Sequence, residues 1–189
     1  MDDSKILVFD LECTCWKGRP PAGMRQEIIE IGCCLFDKAA DRILDKRSII
    51  VRPSCSTISG FCTELTTITQ DMVDREGVDL REACDMLVKE YNSKNVMSAA
   101  WGRFDSKHLK LACKSDGIPF PLSGKHMNLQ RRFLGISKTK QEMSVGNALR
   151  FIGKEFDGVK HRAVNDAYNT AVLLSHIMST ATVSANGHR

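Results

Sequence analysis

Residues 5–16, KILVFDLECTCW, constrain this chain more than any other stretch. Ile6 to Phe9 form an apolar run that reads as a central β-strand, and it leads straight into Asp10 and Glu12. Carboxylates taken out of water cost several kcal/mol unless something compensates them. Side chains two apart on a strand leave it from the same face, so Asp10 and Glu12 point one way and Leu11 the other. Like charges on one face repel. A hard divalent cation removes the conflict, because oxygen ligands suit magnesium and manganese. The pair alone also allows a plainer reading, in which the strand ends here and both carboxylates are solvated.

Two more strands follow at short intervals, EIIEIGCCLFD at 27–37 and RILDKRSIIVRP at 42–53, which suggests an antiparallel meander. ELTTITQDMV reads as one or two helical turns. Residues 78–93 carry a helical stripe of Leu80, Cys84, Leu87, Val88 and Tyr91. A fourth strand is expected at 95–101, a helix at 105–117, a short fifth strand at 126–130, and helices at 144–153 and 161–179. The order predicts an α/β fold: a mixed five-stranded sheet, antiparallel in its early strands and flanked by helices. The 189 residues suit one domain, taken as 1–180, with a polar tail at 181–189. Neither G-x-G-x-x-G nor a Walker A sequence is present.

The net charge of +4 permits an anionic partner without demanding one. No run of eighteen apolar residues suggests a membrane span, and MDDSKILVFD is acidic and enters a strand at once, unlike a signal peptide. A cytoplasmic protein without a membrane partner is therefore expected. The eight cysteines then read as reduced thiols packed as small hydrophobes. CTC and CC lack the C-x-x-C spacing and the histidine pair of a zinc finger.

Two further acidic positions stand out. Asp105 follows a strand end in AAWGRFDSKH, where a helix N-cap is the ordinary role for an aspartate. His161 and Asp166 open the last helix in HRAVND. Five residues apart they do not share a helical face, so both reach one site only if His161 lies in the loop or first turn and leans over it. Each feature has an ordinary explanation alone. In this order they form a specific set, and the sequence resembles the DEDDh exonucleases, which have an RNase H-like fold. DLE matches their first motif, Asp105 their second and HRAVND their third. SGFCTELTTITQDMVD (59–74), DLECTCW and EIIEIG are similar to segments of the Eri-type 3′–5′ exoribonucleases, and this likeness covers roughly residues 6–177.

The resemblance implies two Mg²⁺ or Mn²⁺ ions, with Asp10 bridging both, Glu12 and Asp166 completing one site and Asp105 serving the other. It implies His161 as general base on the attacking water, for which a near-neutral imidazole is suited. Products would be nucleoside 5′-monophosphates released from the 3′ end of single-stranded RNA. Leu11, Cys13, Thr14, Trp101, Phe104 and Lys107 are the expected substrate contacts, Leu11 as a wedge and Trp101 or Phe104 as a stacking platform. Lys160 and Arg162 flank the acidic residues and Lys138 and Lys140 share a loop, so they are further candidates for phosphate contact. Two other functions fit the same residues. One is the same hydrolysis on single-stranded DNA, which differs by a few contacts to the 2′-OH. The other is a catalytically silent binding module built on the fold. Against the latter, all five of Asp10, Glu12, Asp105, His161 and Asp166 are present.

Overall fold

The computed structural model describes residues 2–137, 139 and 141–186, with side chains as far as residue 180. Lys138, Lys140 and the last three residues lie outside the described residues. Five strands form one sheet: β1 (Asp2–Cys13), β2 (Ile28–Asp37), β3 (Arg42–Ile50), β4 (Val96–Ala100) and β5 (His126–Asn128). Their order across the sheet is β3-β2-β1-β4-β5. The first three strands pair antiparallel, whereas β4 and β5 run parallel to β1. This is the mixed sheet of an RNase H-like domain, and β1 lies at its centre as its apolar run requires.

Alternation along β1 sorts the core. Leu7, Phe9, Leu11 and Cys13 face α3 (Leu80–Tyr91) and α4 (Phe104–Ser115). Ile6 and Val8 face α5 (Leu129–Ser137), α6 (Val145–Phe151) and α7 (Ala163–Asn186). A third cluster packs α1 (Gly60–Thr66) and α2 (Gln70–Glu76) on Ile29 and Ile50. Asp10 and Glu12 extend the Ile6–Val8 side, so they emerge on the α7 face where β1 outruns its pairing with β4. The carboxyl ends of parallel strands are where α/β sheets leave a crevice for ligands.

The structure departs from the sequence reading in three places. ELTTITQDMV lies across two separate helices, each started by a hydroxyl: Ser59 Oγ accepts from Cys62 N–H at 3.0 Å and Thr69 Oγ1 from Met72 N–H at 3.1 Å. The expected strand 126–130 stops at Asn128 and turns directly into α5, whose Leu129 and Phe133 stack one turn apart and are buried. The helix replaces the last two residues of the expected strand, because Leu129 and Phe133 bury one face at helical spacing. The last helix begins at Ala163 and continues to Asn186, since 180–186 contain no glycine or proline to stop it.

Candidate active site

Three carboxylates converge at the end of β1. Asp10, Glu12 and Asp166 each place an oxygen within 4.8 Å of the other two. Neither Asp10 nor Glu12 has a hydrogen-bond donor to its carboxylate among the described residues. Burial pushes the Asp10 carboxyl well above its ordinary range, and the charges of Asp105, Asp166 and Glu12 push it further. Burial, then Asp166 and Glu30, raise Glu12 to about 8. Burial raises Asp166 to about 6, against the opposing pull of His161. Three desolvated acids that repel one another form a hard, all-oxygen donor set, so the residues fit a divalent cation.

Asp105 is close to this group without joining it. It sits in the first turn of α4, one residue past Phe104, and not at the cap, which is Arg103. Its side chain is 5% exposed, and its Oδ1 accepts the Leu11 N–H at 3.2 Å, which fastens α4 to β1 between the two strand acids. Burial raises its carboxyl to about 6, while the backbone N–H groups pull it down.

His161 stands in the loop before α7, exposed, with a left-handed φ of 59°. Its backbone N–H donates to Asp166 Oδ2 at 2.9 Å, so the five-residue spacing is closed by main chain and leaves the imidazole free. The loop is tied to α7 by Asn165 Nδ2, which donates to Val159 O at 3.0 Å. The 1%-exposed Asn169 exchanges hydrogen bonds with both the N–H and C=O of Asp157.

Sequence reasoning missed the residue that seats α7. Glu30, wholly buried on β2, lies directly opposite Glu12 in the antiparallel register. It accepts from Arg162 Nε at 3.0 Å, Arg162 Nη2 at 3.2 Å, the Ala163 N–H at 2.9 Å and Ser48 Oγ at 2.6 Å. Arg162 is therefore bound to Glu30 and not held out for phosphate. Two residues on, Gly32 lets the helix approach: a Cβ there would stand 2.0 Å from the Ala163 carbonyl carbon. The signal was available, because Glu30 is an acid inside the apolar run EIIEIG, the same anomaly that drew attention to Asp10.

The expected substrate contacts fall into two groups. Phe104 is 52% exposed beside Asp105 and stacks on His108 at 5.1 Å between ring centroids, and Lys107 is exposed on the same helix. The others are engaged in the fold. Leu11 and Cys13 belong to the core on the α4 side. Thr14 is fully buried, its hydroxyl donating to Arg25 O at 3.1 Å and accepting the Glu27 N–H at 2.9 Å. Trp101 donates its indole N–H to Met143 O at 2.7 Å and packs on Phe133. Cysteines contribute no candidate metal cluster among the described residues.

A central strand ending in paired acids, an aspartate from the helix after β4 and a His–Asp pair at the head of the closing helix thus stand together on an RNase H-like fold. The chain belongs to the exonuclease family (RNase_T), whose model matches residues 7–174, and to its DEDDh branch. It is 32% identical over 177 residues to human "3'-5' exoribonuclease 1", covering 88% of this chain and 50% of that protein. The Bacillus subtilis "Probable 3'-5' exonuclease KapD" is 28% identical over 169 residues, covering 88% and 81%. Among solved structures, the nuclease domain of 3'hExo, a DEDDh family member bound to rAMP, superposes with a TM-score of 0.81 at 29% identity, covering 94% of this chain and 93% of that one. The chain thus spans about half the length of its human relative but nearly all of a nuclease domain.

Proposed function

We propose that this protein is a 3′–5′ exoribonuclease that shortens single-stranded RNA to nucleoside 5′-monophosphates. The convergence of Asp10, Glu12 and Asp166 carries the reading, because three half-buried acids, two of them with no hydrogen-bond donor among the described residues, repel one another and suit a divalent cation. Asp10, Glu12 and Asp166 with Asp105 are assigned as ligands of two Mg²⁺ or Mn²⁺ ions, Asp10 being shared. The ions, when bound, neutralise the acids and stabilise charge on the phosphate and leaving oxygen. His161 takes the proton of the attacking water; its ring is free and its backbone is anchored to Asp166. Asp105 fixes the Leu11 backbone at the strand end, where the 3′ nucleotide enters. Phe104 offers a ring for the terminal base, worth about 1–3 kcal/mol where such stacking occurs, and Lys107 a charge for a phosphate. The eight free cysteines are consistent with a reducing compartment such as the cytoplasm.

The test uses 5′-labelled single-stranded RNA and DNA of one sequence, with magnesium, manganese or chelator, beside Asp10→Ala. The expected result is a metal-dependent ladder shortening from the 3′ end, faster on RNA and absent in the variant. Faster loss of DNA moves the substrate to DNA, and binding without cleavage of either overturns the enzymatic reading.

A further inference from the structure

A second concave surface lies beyond the acid cluster, on the far side of β4. The groove has a volume of about 870 Å³ and runs between the edge strand β5 and the outer face of α5. Its walls carry Lys125, His126, Arg131 and Arg132, with Asn128 and Gly135 between them, and no carboxylate lines it. Arg131 and Arg132 are adjacent on α5, both exposed, and neither has an ion pair among the described residues. Edge strands often carry basic side chains that deter pairing with another chain. Here the two arginines stand on the helix, so that role does not account for them.

The groove lies on the β5 side of the sheet, and its lining reaches Asn128 at the carboxyl end of β5. β1, β4 and β5 run parallel, so Asn128 ends at the same edge of the sheet as Asp10 and Ala100. β5 is two strands from β1, about 10 Å across the sheet. The junction is spanned by Gln130, whose Oε1 lies 3.8 Å from where a Cβ on Gly102 would stand, two residues before Phe104. Asn128 Oδ1 accepts the Arg131 N–H at 2.9 Å, which fixes the first turn of α5 against the strand end.

We propose that this groove is a phosphate-binding track for the part of the RNA strand 5′ to the scissile bond, with Arg131 and Arg132 as its principal contacts. The occupant is single-stranded nucleic acid, because unpaired guanidiniums in an acid-free concavity complement a chain of phosphodiesters. A strand held at its 3′ end by the acid cluster reaches the groove within its next few nucleotides. The track contributes affinity for length and does no chemistry. It rests on the exonuclease reading for its direction, but its own test is a binding measurement.

The experiment compares wild type with Arg131→Ala/Arg132→Ala, using a fluorescent 12-nucleotide RNA in chelator so that nothing is cleaved. A control, Lys89→Ala/Lys94→Ala, removes the same charge from the opposite end of β4. Loss of two phosphate contacts lowers the slope of log affinity against log salt by about 1.4, and weakens 12-mer binding about tenfold at low salt. Hydrolysis of a dinucleotide, too short to reach the groove, is expected to be unchanged. An unaltered 12-mer affinity and salt slope, or an equal fall in the lysine control, overturns the track. So does an equal loss on the dinucleotide, which would place the arginines at the site itself. Failure of wild type to hydrolyse either RNA counts against the exonuclease reading instead and leaves the binding result to decide the groove.

Discussion

Glu12 and Glu30 face each other across the β1–β2 ladder, on one face of one sheet, and have opposite fates. Glu30 is fully buried and fully satisfied, with a bidentate arginine, a hydroxyl and the first N–H of α7 around its two oxygens. Glu12 is half-buried with no donor, and its carboxyl is raised to about 8. The first is anchorage and the second is a site. The contrast teaches that a buried acid is not by itself evidence of metal binding; what separates the two is whether the protein supplies the counter-charge. Around Glu30 it does, which fixes where α7 begins and hence where His161 and Asp166 stand. Around Asp10, Glu12 and Asp166 it leaves the counter-charge to a ligand.

The largest break in this comparison comes from Glu30→Ala. Removing the wholly buried Glu30 leaves the part-buried Arg162, the Ala163 N–H and the Ser48 hydroxyl without their acceptor and costs about 3–5 kcal/mol, so the melting temperature is expected to fall by roughly 6–20 °C in calorimetry. Glu30→Gln keeps the shape, and turnover is expected to fall more than substrate affinity as α7 loosens; unchanged turnover would show that α7 is seated without the ion pair. Gly32→Ala comes next. The added methyl meets the Ala163 backbone, which cannot rotate away, and overpacking of this kind costs about 1–3 kcal/mol or more. A variant as stable as wild type would mean that the helix has room to retreat.

Glu12→Gln tests the other side. Above about pH 8, where Glu12 is ionised, removing its charge from the cluster is expected to raise the melting temperature of chelator-treated protein by a few degrees, and metal-dependent cleavage is expected to be abolished. A fall in stability would show that Glu12 has a structural partner after all. The smallest effect is the pH dependence. Glu12 titrates near 8 in the folded chain against an ordinary 4.5, so the folded state holds a proton that the unfolded state releases. Metal-free stability is therefore full below about 4.5 and declines as the pH rises through about 8. Glu27 runs the other way. Burial raises its carboxyl, but hydrogen bonds from Ser54, Ser56 and Cys55 outweigh this and lower it to about 2. Its contribution is present above about 4.5 and is lost as the pH falls towards 2. Thermal melts from pH 3 to 9 should rise and then fall, and added Mg²⁺ should flatten the alkaline limb far more than the acid one.

Much was legible in the sequence because the signals were local. The alternation of Ile6–Phe9 and the D-x-E that follows act within a few residues of where they are read. The order of Asp10, Glu12, Asp105, His161 and Asp166 was legible from residue type and spacing, and the structure brings three of the four acids into one cluster. The substrate contacts were harder to read. An aromatic residue after a buried strand reads alike whether it faces solvent or packs inward. Only the fold separates exposed Phe104 from Trp101, whose indole N–H is tied to Met143.

By itself, then, the sequence determined most of the elements, though not α5, and the central place of β1 and the order of its acids, since hydrophobic periodicity and residue chemistry are properties of neighbours along the chain. The tertiary structure decided which acids are neutralised and which are left to a ligand. That depends on what comes from far away: Arg162 reaching Glu30 across 132 positions, Asp105 reaching Leu11 across 94, and a groove whose two arginines matter only because the fold brings no acid to meet them. Desolvation and Coulomb interaction act through space, and no spacing in the sequence encodes them.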